Sequence, residues 1–337
     1  MANKLKPIQA SKFKTTVKRI PSGVFSFDVL TGGGIPVGKV TIFEGNKSSG
    51  KTTHSLRIIG NYLAEFENKK VLYVDFENSF DAEWTSRFVE DSDMDRILLI
   101  EPLYAEEGID AIVDILNNDK DVGMLFVDSL ANMIPIADAE KSAYEDTVGA
   151  QAKVINKMFR KILPIMSSMR REDRELTVLL INQQRVKIGA TAFTSGTTKP
   201  GGVYQDFIAS LDIKFSYIGN VESKSVTIKT KHQFKVEKSK IARAIPYRKG
   251  EFSIVLVEHN GLSVGQSDDY TTVINSAKRC GVLERDGNKW KFGENVFKTL
   301  AEVEDAVRND EVFYITLYEK TRDSLIDNLL VGDDDAD

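Results

Sequence analysis

The stretch Gly45-Asn46-Lys47-Ser48-Ser49-Gly50-Lys51-Thr52 fits the pattern G-x-x-x-x-G-K-[ST] completely. Glycines let the backbone fold around phosphate oxygens with its N–H groups pointing inward, and a helix N-terminus adds a favourable dipole. Lys51 supplies positive charge to the β- and γ-phosphates of ATP. The Thr52 hydroxyl is placed to coordinate Mg²⁺, and Thr53 follows in the same turn. Strand-like Val40–Glu44 precedes the motif and a helix-like segment follows, the context that separates a phosphate loop from a chance glycine-rich turn. A second carboxylate must help hold the metal, and Asp128 stands at the end of the apolar run Met124-Leu125-Phe126-Val127. Hydrolysis also needs a base to polarise water. Leu72-Tyr73-Val74-Asp75-Phe76-Glu77 offers Glu77, favoured by its position, with Asp75 as the alternative.

These groups must be carried by elements whose pattern is readable. Strand-like runs at Val40–Glu44, Val71–Phe76, Ile97–Glu101, Val122–Val127 and Thr177–Ile181 alternate with helix-like segments. Those lie near Thr52–Phe66, Phe80–Glu90, Glu107–Asn117 and Asp146–Arg170. Alternation of this kind predicts a mostly parallel sheet covered on both faces, and burial of both faces explains why the runs are continuously apolar. From Leu211 the pattern changes: Leu211–Ile218, Ser225–Val236 and Glu251–Val257 read as an antiparallel extension. Residues 266–330 read as a small α+β domain containing an Asp286-Gly287 turn, and 331–337 as a disordered acidic tail. Residues 1–20 read as a short basic arm.

Bulk composition restricts the classes. The 337 residues, 42% hydrophobic and 28% charged, suffice for a large α/β core of about 21–265 plus the appendage. A net charge of −5 does not advertise nucleic-acid binding, although a locally basic face is enough for it. Cys280, the single cysteine, rules out an intramolecular disulfide and reads as a small apolar helix residue. No apolar run approaches the ~20 residues that span a bilayer, and the first residues lack a secretory hydrophobic stretch, so a cytoplasmic location is expected.

Taken in order, these elements resemble the RecA family of DNA strand-exchange proteins, including the phage UvsX type. The match runs from roughly Lys18 to Gly265. It includes Ile20-Pro21-Ser22-Gly23, Gly32-Gly33-Gly34-Ile35-Pro36-Val37-Gly38-Lys39 and Ser48-Ser49-Gly50-Lys51-Thr52-Thr53. The resemblance implies a RecA-like P-loop ATPase core with a small C-terminal α+β domain. It makes Glu77 the catalytic base and puts Asp81 and Trp84 beside the adenine. It makes Gln183, in Leu180-Ile181-Asn182-Gln183-Gln184-Arg185, a γ-phosphate sensor that opens a DNA-binding loop over about Arg185 to Tyr204. That loop holds Arg185, Lys187, Phe193, Lys199, Gly201 and Gly202, a flexible basic composition with an aromatic ring suited to single-stranded DNA. A stretch of that length without structure inside a compact domain more often marks function than an idle surface loop.

A first DNA loop is expected at Ile136–Thr147, with Lys141 and Tyr144 as contacts. Lys153, Asn156 and Arg160 follow on one helix face, residues chosen on the resemblance alone. Lys238 and Lys240 resemble paired lysines that reach a neighbour's ATP; residues two apart on a strand point the same way. The resemblance therefore implies a helical homo-oligomer with ATP and Mg²⁺ between protomers. Its expected partners are single-stranded and double-stranded DNA, with single-strand-binding and loader proteins as accessories. The arm is shorter than in bacterial members, which puts Phe13 or Val17 forward as assembly contacts. A ring helicase on the same core and a nucleotide-switched regulator without DNA are the competing readings. The missing large N-terminal domain counts against the first, and the glycine-rich basic loop against the second.

Overall fold

The structure is a computed structural model; it describes Gln9 and residues 17–140, 149–186 and 197–328, with backbone alone at 185, 186, 197 and 198. Lys141, Tyr144, Lys187, Phe193, Phe13 and the acidic tail lie outside the described residues.

Strands β1 (Arg19–Ile20) and β2 (Ile35–Pro36) form a small antiparallel pair around helix α1 (Phe25–Thr31). Strand β3 (Val40–Gly45) leads into α2 (Lys51–Glu65), and β4 (Lys70–Asp75) into the short α3 (Ala82–Thr85). Then come β5 (Ile97–Ile100), α4 (Ala105–Asn118), β6 (Val122–Asp128), α5 (Ile136–Ala139), α6 (Ala150–Arg171) and β7 (Thr177–Gln183). A two-stranded ladder, β8 (Arg185–Val186) with β9 (Thr197–Thr198), precedes α7 (Tyr204–Ile208). The long strands β10 (Leu211–Ser223), β11 (Val226–Ser239) and β12 (Lys249–Val255) complete the main sheet. The C-terminal part adds α8 (Tyr270–Arg279), the three-stranded β13 (Glu284–Asp286), β14 (Lys289–Phe292) and β15 (Asn295–Phe297), α9 (Leu300–Asn309) and α10 (Glu311–Asn328).

The eight-stranded sheet has the order β12-β11-β10-β3-β7-β6-β4-β5. Pairing is parallel from β10 through β5, and β11 and β12 extend the sheet antiparallel, as the change of pattern at Leu211 predicts. Successive side chains of a strand point to opposite faces. Val71 and Tyr73 accordingly pack with the α2 side chains Leu56 and Ile59, whereas Leu72 and Val74 join Ile112 of α4 and Met158 of α6. Each continuous apolar run thus feeds two cores at once. The expected helix over Phe80–Glu90 shrinks to Ala82–Thr85. Asp75 holds the N–H groups of Ser79 and Phe80 at 2.7 Å each, and Asp81 caps the single turn. Among the described residues no helix is long and apolar enough to cross a membrane.

The C-terminal part does not own its core alone: Phe25 and Val29 of α1 pack with Val273, Leu283 and Leu317. A buried polar network reinforces this junction. Tyr318 donates to Asp28 Oδ2 at 2.7 Å, the Phe25 N–H donates to Asp269 Oδ2 at 2.9 Å, and Arg57 of α2 donates to the Gly265 carbonyl. Burial pushes the Asp269 carboxyl up to about 6, against the pull of the Phe25 N–H and the Arg57 charge. Because the folded value exceeds the unfolded 3.8, this stabilisation is complete below that pH and is lost as pH rises through 6. A displacement of that size is worth roughly 3 kcal/mol at most. Asp269→Asn is therefore expected to flatten the fall of the melting temperature between about pH 4 and 7 relative to the parent; parallel curves would remove Asp269 as a source of that slope.

Candidate active site

The parallel strands β3, β7, β6 and β4 end along one edge of the sheet. Gly45 of β3 is the register partner of Gln183 of β7, and Asp75 of β4 that of Asp128 of β6. Ligands in open α/β sheets sit beyond such strand ends. Gly45 has no room for a side chain, since a Cβ would lie 2.3 Å from the Phe215 carbonyl oxygen of β10. Gly50, at φ 87°, makes the left-handed turn into α2 that other residues resist. Between them the loop curls over Lys51, whose ammonium donates to the Asn46 carbonyl at 2.8 Å, the Gly45 carbonyl at 3.2 Å and Ser49 Oγ at 3.3 Å. Burial lowers the Lys51 pKa, and the charges of Asp128 and Glu77 oppose that shift.

Thr52 Oγ1 donates to Asp128 Oδ2 at 2.8 Å, bringing the two expected metal ligands together. Asp128 is fully buried, its Oδ1 has no hydrogen-bond partner among the described residues, and burial lifts its pKa to about 7. A hydroxyl beside a carboxylate with an open oxygen fits Mg²⁺, which takes few protein oxygens and completes its shell with water and phosphate.

Asp75 and Glu77 differ in their local surroundings. Asp75 is fully buried and both its oxygens accept backbone N–H groups: Glu77 at 2.9 Å, Ser79 and Phe80 at 2.7 Å. It shapes the turn and has no freedom to meet a water. Glu77 is held beside Asp128 through its own N–H, which also reaches the Asp128 carbonyl at 3.2 Å. Its carboxylate faces the cleft and accepts from Gln183 Nε2 at 3.2 and 3.3 Å.

The cleft, about 310 Å³, is bounded by the phosphate loop, Glu77, Asp128 and Gln183, with Trp84 on one side. Trp84 stands edge-on to Phe88 with centroids 5.5 Å apart. Asp81 Oδ1 accepts the backbone N–H of Trp84 at 2.9 Å, capping the short helix that carries the ring. Further lining was missed in the sequence: Tyr217 from β10, Thr230 and His232 from β11, and Leu256 just after β12. His232 stacks on Phe252 (5.1 Å, 23°), its Nε2 lies 2.8 Å from Thr230 Oγ1, and burial lowers its pKa to about 4. The only available signal was the adjacency of β10 and β3, which no motif announces.

The other expected contacts fall into groups. Helix α6 buries Val154, Ile155, Met158 and Phe159, which leaves Lys153 and Arg160 exposed with Asn156 half-buried between them. The β8–β9 ladder, pairing Arg185 with Thr198, closes the base of the second loop. At its return, Gly201 packs on α6, where a Cβ would lie 3.1 Å from Ile155 Cγ2, and Gly202 faces open space. Asn182, next to Gln183, donates to the Pro200 carbonyl at 2.9 Å and to Gln205 Oε1 at 2.8 Å. Lys199 is not presented as a free cation; carboxylates of Glu44, Asp206 and Asp212 surround it. Lys238 and Lys240 donate to the carbonyls of Asp206 and Phe207 and do not line their own cleft. The register of Lys238 with Asp212, and of Asp212 with Ile42, sets them back from Gly45 along the sheet.

A sequence model of the RecA N-terminal domain matches residues 5–262. The chain is 29% identical over 316 residues to Protein RecA of Oleidesulfovibrio alaskensis, covering 94% of this chain and 84% of that protein. It is 30% identical over 280 residues to Protein RecA of Sulfurimonas denitrificans, covering 82% and 75%. To Protein RecA of Campylobacter fetus it is 28% identical over 323 residues, covering 94% and 87%.

The geometry separates three side chains by experiment. Lys51→Ala is expected to abolish binding of a fluorescent adenine nucleotide. Glu77→Gln should keep that binding and slow turnover by about 10²-fold or more, as for loss of a general base. Asp75→Asn should lower the melting temperature instead, because an amide cannot accept three N–H donors from both ends. Normal turnover in Glu77→Gln would remove it from the base role.

Proposed function

The chain belongs to the RecA family and acts as a RecA-type recombinase in DNA recombination and repair, and from that premise we propose how its own residues run an ATP-dependent cycle. The loop N–H groups of Asn46 to Thr53 and the Lys51 ammonium bind the phosphates of ATP. Thr52 and Asp128 would hold Mg²⁺, which neutralises charge shared by the β- and γ-phosphates. Glu77 accepts a proton from a water whose oxygen attacks the γ-phosphorus; the bond to the β–γ bridging oxygen breaks, and ADP and phosphate leave. Asp81 and Trp84 flank the adenine, with Trp84 offering a flat stacking face.

One observation carries the coupling to DNA: the Gln183 amide rests on the Glu77 carboxylate while its chain runs directly into the β8–β9 loop. A γ-phosphate in the cleft competes for that amide, so nucleotide state and loop position are linked through one side chain. A neutral amide suits this role because its hydrogen bonding does not depend on a pKa. Arg185, Lys187, Phe193, Gly201 and Gly202 then contact single-stranded DNA, and Lys153, Asn156 and Arg160 add a second basic face. Double-stranded DNA enters for homologous pairing, with no covalent change to either molecule. Protomers stack into a helical filament in which Lys238 and Lys240 reach the neighbour's ATP, a role favoured by their distance from their own cleft. Single-strand-binding and loader proteins fit as accessories, and the cytoplasm as the location.

Single-stranded DNA should stimulate ATP turnover and yield helical filaments by electron microscopy in the presence of ATP. Unchanged turnover and no DNA binding at low salt would contradict this reading. Lys238→Ala should leave nucleotide affinity of the isolated protomer intact and reduce DNA-stimulated turnover by about 10³-fold, the scale of an arginine finger supplied in trans.

A further inference from the structure

The outgoing limb of the β8–β9 loop meets the cleft at Gln183; the returning limb has its own tie, through residues that belong to no motif. Lys199 Nζ lies 2.9 Å from Glu44 Oε2, 2.5 Å from Asp206 Oδ1 and 3.0 Å from Asp212 Oδ2. The ammonium donates a hydrogen bond to Asp212 Oδ2 and is ion-paired with Glu44 and Asp206, so its charge is already met by three carboxylates. The Lys199 side chain is only 19% exposed, and those of Glu44 and Asp212 are 8% and 5%. At that depth an ion pair is screened little and its loss leaves carboxylates without compensation. The neighbouring carboxylates raise the Lys199 pKa against burial, which holds the charge in place.

Glu44 makes the arrangement more than a structural cluster. It is the β3 residue immediately before Gly45, the first residue of the phosphate loop. Its Oε1 accepts from Gln184 Nε2 at 3.2 Å, on the outgoing limb, and its Oε2 pairs with Lys199 on the returning limb. A single carboxylate therefore grips both stems of the loop at the foot of the phosphate-binding turn. Asp206 adds a link to α7, whose carbonyls hold Lys238 and Lys240.

We propose that Glu44 and Lys199 are positioning residues that fix both stems of the DNA loop to the strand carrying the phosphate loop, and that Lys199 serves this tie rather than contacting DNA. The inference rests on the DNA-dependent ATPase reading above. Its test compares Lys199→Met, Lys199→Arg, Glu44→Gln and the Lys199→Met/Glu44→Gln pair with the parent. The measurements are the ratio of DNA-stimulated to DNA-free ATP turnover, the slope of log Kd for single-stranded DNA against log salt, and thermal melting to confirm folding. Expected are ratios lowered about tenfold in Lys199→Met and in Glu44→Gln, with the pair no lower than Lys199→Met alone, as for residues in one network. Lys199→Arg keeps the charge and retains most of the ratio. The salt slope of Lys199→Met matches the parent, whereas loss of a phosphate contact would make it shallower by about one. A shallower slope in Lys199→Met, or an unchanged ratio in Glu44→Gln, overturns the proposal. Should Lys199→Met fail to fold, Glu44→Gln decides alone, because it leaves Asp206 and Asp212 on the lysine. A parent that neither binds DNA nor is stimulated by it overturns the functional reading and this inference together.

Discussion

The parallel register of the central strands is the constraint from which the site follows. Gly45 opposite Gln183 and Asp75 opposite Asp128 are consequences of hydrogen-bonded ladders whose side chains are buried on both faces. A slip by one residue would exchange every inward and outward side chain between two cores, so this register is strongly specified. Lys51, Asp128, Glu77 and Gln183 therefore gather at the same edge of the sheet. The close approach of β3 to Phe215 then demands glycine at position 45 for packing as well as for phosphate access.

Electrostatics at that edge are organised by burial. Lys51, Asp128 and Glu77 line one cleft, where burial shifts Lys51 down and Asp128 up. Burial lifts the Asp128 pKa to about 7, and the Lys51 ammonium donates to the loop carbonyls of Gly45 and Asn46. Gln183, which donates to Glu77, leads directly along the chain into β8.

Much of this was legible in the sequence because it depends on local pattern. The continuous runs at Val71–Phe76 and Val122–Val127 gave two-faced strands, and the glycine spacing with Lys51 and Thr52 gave the phosphate loop. Where side chains decide, the pattern was silent. Asp75 and Glu77 are two residues apart on one strand, and only the N–H groups captured by Asp75 assign it to structure. The same capture shortened the helix expected over Phe80–Glu90. Lys199 falls in the DNA loop that the family resemblance implies, and its three surrounding carboxylates come from β3, α7 and β10, which no local pattern announces. The wall formed by Tyr217, His232 and Leu256 and the sharing of α1 with the C-terminal core were hidden for the same reason, since both arise from packing between separate elements.

The account stands on a link between the nucleotide cleft and the DNA loop through Gln183 and Glu77. Linkage makes that claim measurable, because a ligand that shifts the loop must alter DNA affinity by the same factor that DNA alters its own. The most direct measurement is the Kd for single-stranded DNA, at one fixed salt concentration, with a non-hydrolysable ATP analogue and with ADP. The account predicts binding about tenfold or more tighter with the analogue. Equal affinity in the two nucleotide states would contradict it.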